Sequence, residues 1–143
     1  MIETVLVAVD DSPLAESAVA YAAEVFADAD LEAVHVADVE YDMNYDMEEV
    51  ERASLDGLEG AGDELAQSVF ATVREVLADR DVDASATLLV GDPGDRLVEY
   101  AAERNVDQIV MGTHARAGLS RHLIGSVAEQ VARRTDAPTT LVK

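Results

Sequence analysis

Five short apolar runs, rich in valine and other strand formers, alternate along this chain with segments whose apolar residues recur at helical spacing. That alternation is the strongest constraint on its fold. Residues 4–9 (TVLVAV), 31–39 (LEAVHVADV), 84–90 (ASATLLV), 106–111 (VDQIVM) and 139–142 (TTLV) read as strands, the first with the near-continuous apolar character of a strand buried on both faces. Between them, Leu14, Ala18, Tyr21, Ala22, Val25 and Phe26 mark one helix, and Leu65, Val69, Val73, Val76 and Leu77 a second over 65–77. Residues 94–104 and 127–134 give two more. Ser12-Pro13 and Asp92-Pro93 pair a capping side chain with a proline suited to the first helical turn. Residues 41–62 show no period, many acids and three glycines, and read as a loop with room for a helical turn. Strand–helix–strand units require right-handed crossovers. The expectation is one α/β domain over residues 1–143, an open Rossmann-like sheet of five mostly parallel strands in the order 3-2-1-4-5, with four helices distributed over both faces. Such sheets bind ligands beyond the carboxyl ends of their strands, where the strand order reverses.

The segment after the fourth strand carries the chemistry. Residues 108–128 contain no Asp or Glu, in a chain with 30 of them, and hold His114, Arg116, Arg121 and His122. An electropositive stretch in an anionic protein suits a polyphosphate, because arginine pairs bidentately with phosphate oxygens. Gly112 follows a strand directly, and Gly125-Ser126 opens a helix, whose first N–H groups are unpaired and partially positive. Plainer readings stand beside this one. Ser126 with Glu129 has capping-box spacing. Gly112 and Gly118 suit ordinary turns. His35, within a strand, reads as a packed core histidine, and the three histidines lack metal-type spacing with a carboxylate.

Charge and composition bound the function. Asp and Glu outnumber Lys and Arg 30 to 10, a formal net charge of −20, and the single lysine is Lys143. Such a charge repels nucleic acids and anionic membranes, and reads as an adaptation to high ionic strength, as in a halophile. The absence of cysteine excludes disulfides and thiol chemistry. The N-terminal MIETVLVAVDDS lacks the pattern of a signal peptide, and no run of about 18 apolar residues could span a membrane. A cytoplasmic location is expected.

The segment from Gly112 to Ser126 resembles the nucleotide-binding signature of the universal stress proteins, G-x2-G-x9-G-[ST]. VLVAVDDS, HV in the second strand, GDP before the third helix, MGTHARAGLSRHLIGSVAEQV and PTTLV extend the resemblance in order along the whole chain. Gly112, Gly125 and Ser126 match the motif, whereas its second glycine is Ala115 here. If that position needs a positive φ, alanine strains the loop by about 1 kcal/mol or more. The resemblance implies a dimeric stress-response or signalling module binding ATP with Mg2+, or AMP or ADP, without a dedicated catalytic centre. It places the base near Ala8, Val9, Asp10 and Val36, with the backbone of Val9 reading the adenine edge. Asp10 would accept from ribose hydroxyls or serve a nucleotide-bound Mg2+; alternatively it closes the strand-to-helix turn. Gly112, Ala115, Gly125, Ser126 and Val127 would cradle the phosphates, with Arg116 as their side-chain partner, and Met111 is a further cofactor-binding residue. It further implies a homodimer through Thr139–Val142. The alternative is a family member that has lost nucleotide binding and acts as a protein-interaction module. A phosphoacceptor receiver lacks its third Asp after Leu89-Val90. A hydrolase lacks an acid near the loop histidines. A PP-loop enzyme lacks its glycine-rich turn after the first strand.

Overall fold

The computed structural model describes residues 1–38, 48–58, 62–113 and 126–143. The chain begins with β1 (Thr4–Ala8), α1 (Pro13–Val25), β2 (Asp30–Ala37) and β3 (Val50–Ser54). After a 3-10 turn at Leu55–Leu58 come α2 (Glu64–Leu77), β4 (Ala84–Val90) and α3 (Pro93–Arg104). β5 (Gln108–Gly112), α4 (Ser126–Arg134) and β6 (Thr139–Val142) complete it. The sheet order is β3-β4-β2-β1-β5-β6, parallel except for β3, which runs antiparallel to β4. Without β3 this is the expected 3-2-1-4-5 order. The sheet has six strands rather than five because β3 lies in the segment read as a loop. Its sequence, VERAS, has no apolar alternation, and its residues are exposed or half-buried, so no hydrophobic period announces the strand.

Strand alternation divides the core in two. Val5, Val7, Leu31 and Ala33 pack against α1 and α2, where Ala15, Ala18, Val69 and Val73 meet them. Leu6, Val34, Val36, Leu89, Ile109 and Met111 face α3 and α4 through Leu97, Tyr100, Ala128 and Val131. Small residues let α1 lie close to the sheet. An added Cβ at Gly112 would stand 2.7 Å from Leu14 Cβ, so this glycine is required by the approach of α1 to the end of β5.

The helix starts follow from their caps. The side chains of Asp63 and Asp92 accept from the N–H groups of Ala66 (2.9 Å) and Asp95 (3.0 Å). Ser12 occupies the cap position of α1 with extended backbone, but its side chain makes no capping bond; its own N–H donates instead to Asp10 Oδ1 at 2.9 Å. The start of α3 is further fixed by Glu49, whose carboxylate accepts from Arg96 through two nitrogens at 2.9 Å and from Val90 N–H at 2.9 Å. The Arg96 hydrogen bonds hold the Glu49 carboxyl below its ordinary value.

Candidate functional site

β1 sits mid-sheet. The chain leaves it through α1 toward β2 and β4, then later returns to its other side as β5. The strand order therefore reverses beside β1, and a cleft of about 460 Å3 opens there. Its size lies within the range of roughly 300–1,000 Å3 usual for small-molecule pockets. The strand ends contribute Ala8, Val9, Asp10, Val34, His35, Val36, Met111 and Gly112. Three helix starts point into the same space: Ser12 and Ala15 of α1, Pro93, Gly94 and Leu97 of α3, and Ser126, Val127 and Gln130 of α4.

The predicted residues Ala8, Val9, Asp10, Val36, Met111, Gly112, Ser126 and Val127 all line this cleft. Ala115, Arg116 and Gly125, with His114, Gly118, Arg121 and His122, lie outside the described residues. One expected role changes. Val9 cannot offer its N–H to a base edge, because that group donates to Val34 O at 2.9 Å, and its carbonyl already accepts a bond from His35 Nδ1 at 3.0 Å. β2 continues past its last pair with β1, Ala8↔Val34. By the two-residue strand repeat, the backbone groups of Val36 face the same side as the Val34 carbonyl, toward the space β1 has vacated.

His35 is the packed residue its strand position suggested, 4% exposed and edge-on to Phe70 with ring centroids 6.1 Å apart. Its Nδ1 carries the proton in this arrangement, since the carbonyl of Val9 is an acceptor. Nε2 has no partner. Ser126 is the first residue of α4, and Glu129, three residues on, pairs with Arg133 at 2.9 Å along the helix.

The contribution of α3 was not foreseen. Asp92-Pro93-Gly94 reads as a cap, yet Gly94 also leaves room for the Gln130 side-chain amide of α4, since a Cβ there would stand 1.9 Å from Gln130 Oε1. A glycine two residues inside a capped helix was the available signal.

Electrostatically, the described lining carries Asp10, Asp11, Asp38 and Asp92 but no Lys or Arg. Burial pushes the Asp10 carboxyl up, an effect that hydrogen bonds from Ser12 partly offset. Among the described residues no group of three or more His, Cys, Asp or Glu could hold a metal ion, and no helix is long and apolar enough to cross a membrane.

These features define an open α/β fold, with convergent strand ends and helix starts forming a cleft at the switch point. The model of the universal stress protein family matches residues 1–143, and the chain belongs to that family. Universal stress protein MJ0531 of Methanocaldococcus jannaschii is 36% identical over 80 residues, covering 56% of this chain and 47% of that protein. MJ0577 of the same organism is 31% identical over 80 residues, 56% of this chain and 49% of that one. The solved structure of MJ0577 superposes with a TM-score of 0.71 at 25% identity, covering 100% of this chain and 96% of its own. The matched segment thus spans about half the length of these curated relatives. A universal stress protein from Archaeoglobus fulgidus, solved in complex with dAMP, shares the fold with a TM-score of 0.67 at 23% identity and full coverage of both chains.

Proposed function

We propose that this protein binds an adenine nucleotide in the switch-point cleft and works as a homodimeric, nucleotide-responsive module of the cytoplasmic stress response, without a catalytic centre of its own. The observation that carries this reading is the convergence on one cleft of eight residues marked from the sequence. The dAMP complex of the Archaeoglobus fulgidus protein supplies the ligand class. Val36, Leu97 and Met111 offer apolar walls for a base, and the outward backbone of Val36 replaces Val9 as the reader of its edge. Asp10 suits a ribose hydroxyl or a nucleotide-bound Mg2+. The N–H groups at the start of α4, Ser126 and Val127, suit phosphate oxygens, and Ala115, Arg116 and Gly125 complete the cradle. ATP with Mg2+ is the full ligand of this reading, with ADP and AMP as shorter forms. Dimerisation would use the open edge of β6.

A second reading, a protein-interaction module that has lost nucleotide binding, is favoured by Ala115 in place of the motif glycine. Mass spectrometry of small molecules released on denaturing the purified protein separates the two. Stoichiometric adenine nucleotide supports the proposal. Protein that releases none, and binds none on calorimetric titration, supports the interaction module.

A further inference from the structure

A second cleft, of about 440 Å3, lies at the opposite end of the sheet, where the strands begin. Parallel sheets ordinarily bury apolar residues on both faces. Here the α3 side of the sheet turns polar toward the strand starts. Glu32 lies two residues before Val34 on that face, Ser85 is its register partner on β4, and Thr87 is that of Val34. Thr4 and Asp30, another register pair, extend the face onto β1, and Asp83 precedes it on β4.

Beneath this cleft sits a buried polar network. Glu32, 2% exposed, accepts from Thr87 Oγ1 at 2.7 Å, from the hydroxyl of Tyr100 and from Arg104 Nε at 3.1 Å. Thr87 Oγ1 in turn accepts the backbone N–H of Arg52 at 2.9 Å. Arg52 has φ +54°, a left-handed conformation that L side chains rarely adopt, at the irregularity where β3 slips against β4. A strained arginine anchored through its backbone to a buried carboxylate network is held in place at the cleft, and its guanidinium carries no ion pair among the described residues. Arg104 lines the same cleft, bound to Glu32 through Nε and lying beside the Tyr100 hydroxyl. Asp30 and Asp83 line the same cleft without a side-chain partner among those residues.

We propose that this cleft is a second ligand site, for a small dipolar molecule of the α-amino-acid class. Its carboxylate would lie on the guanidinium groups of Arg52 and Arg104 and its ammonium toward Asp30 and Asp83. The charges select this class. Three carboxylates against two arginines, in a chain of net charge −20, repel a bare anion. A bare cation would leave the guanidinium of Arg52 without a counter-charge. A molecule carrying both charges satisfies both sides of the cleft.

NMR titration of the full chain tests this with glycine, longer free amino acids, and acetate and methylammonium as singly charged controls. At least one amino acid is expected to give saturable shifts centred on Arg52, Ser85 and Arg104, with neither control doing so. Arg52→Gly removes the guanidinium and suits the left-handed backbone, so the fold is retained while affinity falls about tenfold or more, the scale of one hydrogen bond to a charged group. Arg52→Lys should recover part of it. Absence of a saturable amino-acid response, equal binding of acetate, or unchanged affinity in Arg52→Gly would each overturn the proposal.

Discussion

Two side-chain-sized facts organise the cleft. Gly112 was marked by the sequence because it follows a strand in a family motif, but its packing reason is α1, which leaves 2.7 Å between Leu14 Cβ and an added methyl. Gly112→Ala should therefore destabilise the fold by about 1–3 kcal/mol, the usual cost of overpacking. Leu14→Gly in the same chain removes the Cβ that the new methyl meets and should relieve the clash, so the two losses, measured by denaturant unfolding, should fall short of additive. Asp10 makes the second case. Its carboxyl is held above its ordinary value by burial, so the native state binds the proton more tightly than the unfolded chain does. Stability is then lost as pH rises from that ordinary value through the raised one. Asp10→Asn should escape the loss and be more stable than the parent at neutral pH, with the gap closing in acid. A gap that is constant with pH would show that Asp10 carries no such burden. Gly112 and Asp10 were legible in the chain because glycine and a strand-end acid stand out. The occupied backbone of Val9 was not, since it depends on His35, 26 residues away.

At the scale of elements, helices and buried strands were legible to within two residues because burial imposes a period. The edge was not. β3 is recognisable through what it pairs with: Val50 opposite Leu88, Ala53 opposite Ala86 and Ser54 opposite Ser85. Nor could the Glu32 network be read from sequence, since a lone acid in a strand looks like a surface residue until Tyr100, Thr87 and Arg104 are brought to it. The other edge, β6, has no strand on its outer side among the described residues. Pro138 and Val142 aim their carbonyls at β5, accepting from Ile109 and Thr113 at 2.9 Å each, so Thr139 and Leu141 face outward. Thr139→Pro removes an outward N–H and leaves the β5 ladder intact. Sedimentation at high salt is expected to show a dimer for the parent chain and a shift toward monomer for this variant. A monomeric parent, or a variant that dimerises equally well, counts against pairing through β6.

For the whole molecule, charge governs both stability and binding. A net charge of −20 works against compactness when unscreened, so thermal midpoints should rise from low salt to multimolar KCl. A midpoint highest at low salt would contradict this. The same field repels a phosphorylated ligand, and the described cleft lining adds four carboxylates. Affinity for ATP should accordingly strengthen with salt, while that for adenosine should change little. The most direct measurement is calorimetric titration of the intact protein with ATP and Mg2+ in multimolar KCl, for the parent chain, Ala115→Gly and Gly125→Val. Saturable binding by the parent, equal or tighter binding by Ala115→Gly, which restores the family motif, and its loss in Gly125→Val is the expected result. Folded parent and Ala115→Gly proteins that both fail to bind would contradict the nucleotide-binding account.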